Sequence, residues 1–268
     1  SYIKWDMNRS MTEVFGKGYS ADQQGEIAHR YILNVYDLYE KLTSKYPHIL
    51  FESCSSGGAR FDPGLLYYAP QCWTSDNTDA VCRMKIQYGT SFCYPISSFG
   101  AHVSACPNHQ NNRTTPIHTR ANVAYFGTFG YELDLNKLTP DERNLVREQI
   151  KFMKEYREII QFGDFYRLVS PFTSNFLSWM TVSKDKKTAI VGWYKVLNDV
   201  NAPFRRVHLQ GLDPNLIYKV NNDKGHSGSE LMNIGLVVTD SSAGFHSTDP
   251  KSDHQSCDFD SRIFVLKA

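Results

Sequence analysis

An α/β domain followed by an antiparallel β-sandwich is the fold class that the sequence predicts, and three observations carry the prediction. Residues 1–163 alternate short apolar runs with amphipathic segments, the pattern of repeated βα units whose parallel strands are covered by helices. The apolar runs of this part end in clusters of polar residues, at the strand ends where a (β/α)8 barrel keeps its site. After Gly163 the pattern changes to short β-rich runs separated by Asp, Asn, Gly, Pro and Lys, as in a sandwich. The division is therefore 1–163 for the α/β part, with about four βα units or half a barrel, and 164–268 for the β domain.

The opening run "YIKWDMNR" reads as a first strand, and period two sends Lys4, Asp6 and Asn8 to one face, towards a barrel interior. From about Ala21 to Tyr46, Ile27, Tyr31, Val35, Leu38 and Leu42 recur at three- and four-residue steps, so an amphipathic helix is expected up to Pro47. "HILFESC" is a buried strand with a polar tip. "APQCWTSDNTD" is a second tip, and "DAVCRMKIQYG" is a helix in which Ala80, Val81 and Met84 face a sheet. "YPISSFGAHVS" gives a strand, "PIHTRANVAYFGTFG" a helix and "YELD" a strand end. Thr139, Pro140 and Glu142 form the capping signature of a long helix running to about Gln161. Beyond it "FYRLVS", "FLSWMTVS", "TAIVGWYKVL", "FRRVHLQGL", "LIYKVNN", "ELMNIGLVV" and "RIFVLKA" read as strands, with loops at Gly225–Ser229 and Thr239–Ser256.

Composition removes several function classes. Lys and Arg number 29 against 28 Asp and Glu, scattered along the chain, so no electrostatic footprint points to nucleic acid or to an acidic membrane. No apolar run reaches transmembrane length, and the N-terminus has no signal-peptide pattern. The six cysteines lack CxxC pairs and framework spacing, which suits reduced thiols in a cytoplasmic protein. Aromatics at 13% hint at carbohydrate, since Tyr and Trp stack on sugar rings. A chain that opens inside a strand pattern is expected to be a fragment of a longer protein.

Chemistry-bearing residues gather at the strand tips. Lys4 beside Asp6 keeps that carboxylate ionised, as a nucleophile requires, although a salt bridge at a strand end serves architecture equally well. In "ESCSSGGARFD", the glycines after Cys54 and Ser55, Gly57 first among them, let backbone amides approach a ligand. Cys54 has no histidine beside it and reads as a small wall residue. In "WTSDNTDAVCR", Asp79 is explained as a helix N-cap with Arg83 as its i, i+4 partner, whereas Asp76 beside Trp73 has no such structural explanation. His102, Cys106 and His109 fit no closed zinc pattern, so no metal is expected and Pro107 and Asn108 form a turn.

Two carboxylates on separate strand tips, Asp6 and Asp76, are the pair that glycoside hydrolysis needs. At these residues the sequence resembles a known family. "YIKWDMNR", "CSSGGARFDPGLLYYAPQCWTSDNTDA" and "GAHVSACPNHQNNRTTPIHTRANVAYFGTFGYELD" look like the barrel motifs of glycoside hydrolase family 36, the bacterial and fungal α-galactosidases, with raffinose synthases as distant relatives. The resemblance implies a retaining double displacement on terminal α-galactosides such as melibiose and raffinose, with no cofactor. It implies Asp6 as nucleophile, Asp76 as acid/base, Lys4 and Asn8 on the galactose hydroxyls, and Cys54, Ser55 and Gly57 along the sugar's other side. Trp73 and Arg83 match with supporting roles. Members carry a β-sandwich and the first barrel strands ahead of the nucleophile strand, so the resemblance makes this chain the C-terminal half of a TIM barrel plus its β domain, from an enzyme that works as a homo-oligomer. A transglycosylase or an α-N-acetylgalactosaminidase would use the same two aspartates, and a non-catalytic sugar-binding fragment is the alternative from another class.

Overall fold

A computed structural model describes residues 1–9, 11–198, 203–221, 224–239 and 258–268. The loop expected at Thr239–Ser256 lies, apart from Thr239, outside the described residues. The chain divides into two compact units, Ser1–Asp76 with Ser98–Gly100, and Asn77–Ser97 with Ala101–Ala268.

In the first unit β1 (Tyr2–Trp5), β2 (Leu50–Ser53) and β3 (Gln71–Cys72) form a parallel sheet in that order. Phe99 continues it by a parallel bridge to Cys72. α1 (Ile27–Lys45) joins β1 to β2. It starts six residues later than the periodicity predicts, because Ala21–Glu26, which include the poor helix former Gly25, make a 3-10 turn instead. The alternation of β1 and β2 then sorts the side chains. Trp5 and Phe51 face α1, where their rings meet buried Tyr39 at centroid distances of 4.5 and 5.8 Å. Tyr2, Lys4 and Glu52 take the opposite face.

α2 (Pro63–Tyr68), which the sequence reading did not anticipate, joins β2 to β3. The Asp62 carboxylate caps it by accepting from the Leu65 N–H at 2.9 Å, with Pro63 at the first helical position. Leu65 and Ala69 complete this unit's core.

The second unit opens with α3 (Ala80–Thr90), then β4 (Gly100–Ser104, of which Gly100 belongs to the first unit), α4 (Ile117–Ala124), β5 (Thr128–Glu132) and α5 (Pro140–Phe162). β4 and β5 are hydrogen-bonded neighbours. The capping signature of α5 forms as read: Thr139 Oγ1 accepts from the Glu142 N–H and the Glu142 carboxylate accepts from the Thr139 N–H.

The β-rich part supplies β6 (Asp164–Val169), β7 (Phe176–Val182), β8 (Thr188–Lys195), β9 (Arg206–Val207), β10 (Ile217–Val220) and β11 (Gly225–Ser227), then α6 (Gly228–Asn233), β12 (Leu236–Val237) and β13 (Asp260–Lys267). Six of these strands make an antiparallel sheet in the order β11-β10-β13-β8-β7-β6, and β12 pairs with β9. One face of β7 and β8 buries Met180, Val182, Val191 and Trp193 against Val207, Leu231 and Leu236. The other face sets Trp179 and Tyr194 against the end of α4, where the Tyr194 hydroxyl donates to the Asn122 carbonyl at 2.6 Å.

Two expectations fail in this region. The "ELMN" stretch expected as strand is helical, and the Gly225–Ser229 stretch expected as loop is a short strand leading into that helix. The Ser227 hydroxyl accepts from the Glu230 N–H at 3.0 Å and caps α6, while Gly225–Ser227 is strand because it pairs antiparallel with Ile217–Lys219 of β10.

Candidate active site

The polar face of β1 and β2 begins with an ion pair fixed by strand register. Lys4 lies opposite Glu52 across the parallel ladder, and its Nζ is 3.7 Å from Glu52 Oε1. The Tyr2 hydroxyl donates to the same carboxylate. Lys4 Nζ also stands 5.1 Å from the centroid of the Trp73 ring, in cation–π range. Glu52, 4% exposed, is a member of this cluster that sequence reasoning did not single out. Its partnership depends on a register between strands 48 positions apart, which no local pattern shows.

Asp6 lies one residue beyond β1, where its carboxylate collects donors from two chain segments. Its Oδ1 accepts from the Met7 N–H at 2.8 Å and its Oδ2 from the Asn8 amide at 3.1 Å. Slight burial pushes the Asp6 carboxyl up. That effect is outweighed by the hydrogen bonds from the Cys54 thiol, Asn8 and Met7 and by the charge of Lys4, so the net displacement is below the usual aspartate value. The sequence alone points to Lys4, within an interior, as the source of that stabilisation. In the structure Lys4, Asp6 and Asn8 are exposed on their strand tip, Lys4 is paired with Glu52, and hydrogen bonds act on Asp6 more strongly than the ammonium does.

Cys54 has a more specific part than a wall residue. Burial first, and then its hydrogen bond to Asp6, push its thiol up to about 11, so at neutral pH it stays protonated and donates to the carboxylate instead of acting as a nucleophile. Replacing Cys54 by Ala removes a donor from the ionised form of Asp6. The Asp6 midpoint is therefore expected to rise, as read by an NMR titration of its side-chain carboxyl; an unchanged or lower midpoint would contradict this geometry.

The "CSSGG" loop ties the β1 and β2 tips together and sets the place of the next one. Ser55 Oγ donates to the Met7 carbonyl at 2.9 Å, and the Ser56 N–H donates to Asn8 Oδ1 at 3.1 Å. Arg60, buried behind the loop, donates to the Cys54 carbonyl at 2.7 Å and the Trp5 carbonyl at 3.3 Å. Gly57 has φ +85°, and a Cβ there would fall 2.7 Å from Ser75 Cα; one on Gly58 would fall 2.8 Å from the Thr74 carbonyl oxygen. Both glycines are thus required for the loop to lie against the Thr74–Asp76 backbone. Asp76 itself accepts from the Trp73 indole N–H at 3.1 Å. All eight residues that the sequence nominated, Lys4, Asp6, Asn8, Cys54, Ser55, Gly57, Trp73 and Asp76, fall in the first unit and are linked by this set of contacts.

Asp79, Arg83, His102 and Cys106 lie in the second unit. Asp79 does cap α3, accepting from the Cys82 N–H at 3.0 Å, but its ionic partner is Arg113 and not Arg83. Arg83 points inward from α3 and is 2% exposed, and burial holds its guanidinium down at about 10 despite the favourable charge of Glu132. His102 sits on β4 with Nδ1 3.4 Å from Glu132 Oε2, and the Cys106 thiol donates to the Thr115 carbonyl. Among the described residues no group of three or more His, Cys, Asp or Glu side chains is placed to hold a metal ion. Nor is any described helix long and apolar enough to cross a membrane.

Residues 1–163 match the Melibiase family, and residues 177–266 match the glycosyl hydrolase family 36 C-terminal domain. The α-galactosidase AgaA of Geobacillus stearothermophilus is 52% identical over 268 residues, which cover 100% of this chain and 35% of that protein. Alpha-galactosidase 1 of Pediococcus pentosaceus is 49% identical over 236 residues, 88% of this chain and 32% of its own. The crystal structure of a variant of the Geobacillus enzyme in complex with raffinose aligns with a TM-score of 0.91 at 49% identity, over 100% of this chain and 35% of that one. The chain thus spans about a third of the length of these relatives. With its α/β part matched to Melibiase and its β-rich part to the family's C-terminal domain, the chain belongs to glycoside hydrolase family 36.

Proposed function

We propose that the chain carries the two catalytic aspartates of a retaining α-galactosidase acting on terminal α-galactosides of the melibiose and raffinose type. The observation that carries this reading is the placing of two carboxylates, Asp6 and Asp76, at the tips of one parallel sheet, the first of them held ionised. Asp6 is held ionised by the Cys54 thiol, the Asn8 amide and the Met7 N–H, and Asp76 accepts from the indole N–H of Trp73. In the first step Asp6 attacks the anomeric carbon while Asp76 gives its proton to the departing glycosidic oxygen. In the second step Asp76 takes a proton from water, which displaces Asp6 and leaves galactose with its configuration retained.

The remaining assignments rest on the family motifs. Lys4 and Asn8 hold galactose hydroxyls, and Cys54, Ser55 and Gly57 line the other side of the sugar. The relative's raffinose complex supports the substrate class. On this reading residues 1–163 are the C-terminal half of a (β/α)8 barrel and 164–268 an antiparallel sandwich, a division supported by the two family matches. The free thiols of Cys54, Cys72, Cys82, Cys93 and Cys106 support a reducing, cytoplasmic setting.

The test is melibiose hydrolysis by the chain alone and by a hybrid in which it replaces the matching third of the Geobacillus enzyme, followed by proton NMR. The hybrid is expected to release α-galactose before mutarotation. Release of β-galactose, or no turnover in a folded hybrid, would overturn the assignment.

A further inference from the structure

Glu52 is a charged group that the double displacement leaves without a task. It lies on the same face of the sheet as Lys4, almost wholly buried, where an ionised carboxylate is costly unless it is paired and hydrogen-bonded. Its partners come from the same face of β1: the Lys4 ammonium at 3.7 Å and the Tyr2 hydroxyl, two positions earlier on the strand. The Lys4 ammonium is in turn bounded on another side by the Trp73 ring, 5.1 Å away, and Trp73 donates to Asp76. A lysine head on a flexible four-carbon stem otherwise samples many places, and its three donors can serve a ligand only if something else holds it still.

We propose that Glu52 is a positioning residue: anchored by Tyr2, it holds the Lys4 ammonium against the face of Trp73, so that the remaining Lys4 donors meet the sugar hydroxyls as substrate arrives. The inference rests on the α-galactosidase reading, in which Lys4 binds the galactose. It assigns to Glu52 the work of keeping that ammonium in register, with Trp73 serving as the opposite wall.

A double-mutant cycle on the active hybrid tests it, with melibiose kinetics and thermal melting measured for Glu52→Gln, Lys4→Met and the pair. Glu52→Gln is expected to raise KM about tenfold with a smaller change in kcat, as loss of the charged partner of a partly buried ion pair would. The pair should match Lys4→Met alone within about twofold, because Glu52 acts through Lys4. A Glu52→Gln effect confined to the melting temperature, or one that multiplies with that of Lys4→Met, overturns the proposal. Should Glu52→Gln fail to fold, Tyr2→Phe takes its place in the cycle. That change leaves the carboxylate and removes only its anchor, so a rise of about threefold in KM that vanishes in the Lys4→Met background is expected, and an unchanged KM is disproof. A normal KM in Lys4→Met would overturn the sugar-binding role of Lys4 and this inference with it. A raised KM there beside a normal Glu52→Gln overturns this inference alone.

Discussion

On the proposed α-galactosidase reading, replacing Asp6 by Gly in the active hybrid is expected to lower melibiose turnover about 10⁴-fold or more, the scale of losing a covalent nucleophile. Azide added to that variant should restore part of the rate. The glycine opens room on the face from which Asp6 attacks, and the azide nitrogen forms the bond to the anomeric carbon while Asp76 still protonates the leaving oxygen. Attack from that face inverts an α-galactoside, so the product is β-galactosyl azide. Asp76→Ala should behave in the complementary way. Its loss depends on how much the leaving group needs a proton, about 10²- to 10⁴-fold for melibiose and far less for a nitrophenyl galactoside. Azide then attacks the galactosyl–Asp6 intermediate in place of water, and the product is α-galactosyl azide. Opposite anomers from the two variants separate nucleophile from acid/base; the same anomer from both would refute the assignment of roles.

Which parts of this arrangement were visible in the sequence follows from how local each cause is. α1 and α5 were legible because a three-to-four residue period and the Thr139–Glu142 capping box act within one turn of chain. The polar tips of β1, β2 and β3 were legible because a strand run ends where its polar residues begin. α2 was missed although Asp62 and Pro63 are an N-terminal signal, since six residues are too few to establish a period. Glu52, the thiol of Cys54 as donor to Asp6, and the ion pair of Asp79 with Arg113 were hidden for a different reason. Each partner is separated from its mate by between 34 and 48 positions, so only strand register or loop placement joins them. Arg83 shows the cost of a local rule applied alone: spacing offered it to Asp79, but the helix turns it inward, and Arg113, 31% exposed, reaches the carboxylate instead.

That last pair carries the second large effect, on stability. Asp79 has only 1% of its side chain exposed and accepts both the Cys82 N–H that opens α3 and the guanidinium of Arg113. Thr78 beside it is held by three groups from β4 and the loop after it: Ser104 Oγ donates to its carbonyl at 2.8 Å, the Asn108 amide to its hydroxyl at 3.0 Å, and its N–H donates to Gln110 at 3.1 Å. Because the two charges are unequally buried, removing one is not equivalent to removing the other. Arg113→Met strands a buried carboxylate and is expected to destabilise the chain by about 3 kcal/mol or more. Asp79→Asn keeps a capping side chain and leaves a cation that reaches water, so its cost should be only about 1–2 kcal/mol. The double variant should then lie close to Asp79→Asn, since neutralising Asp79 removes the reason for the arginine. Urea unfolding, with amide exchange along α3 as a second readout, measures all three. A loss for Asp79→Asn equal to or larger than that for Arg113→Met would mean that the aspartate's cap, and not its charge, is what Arg113 protects.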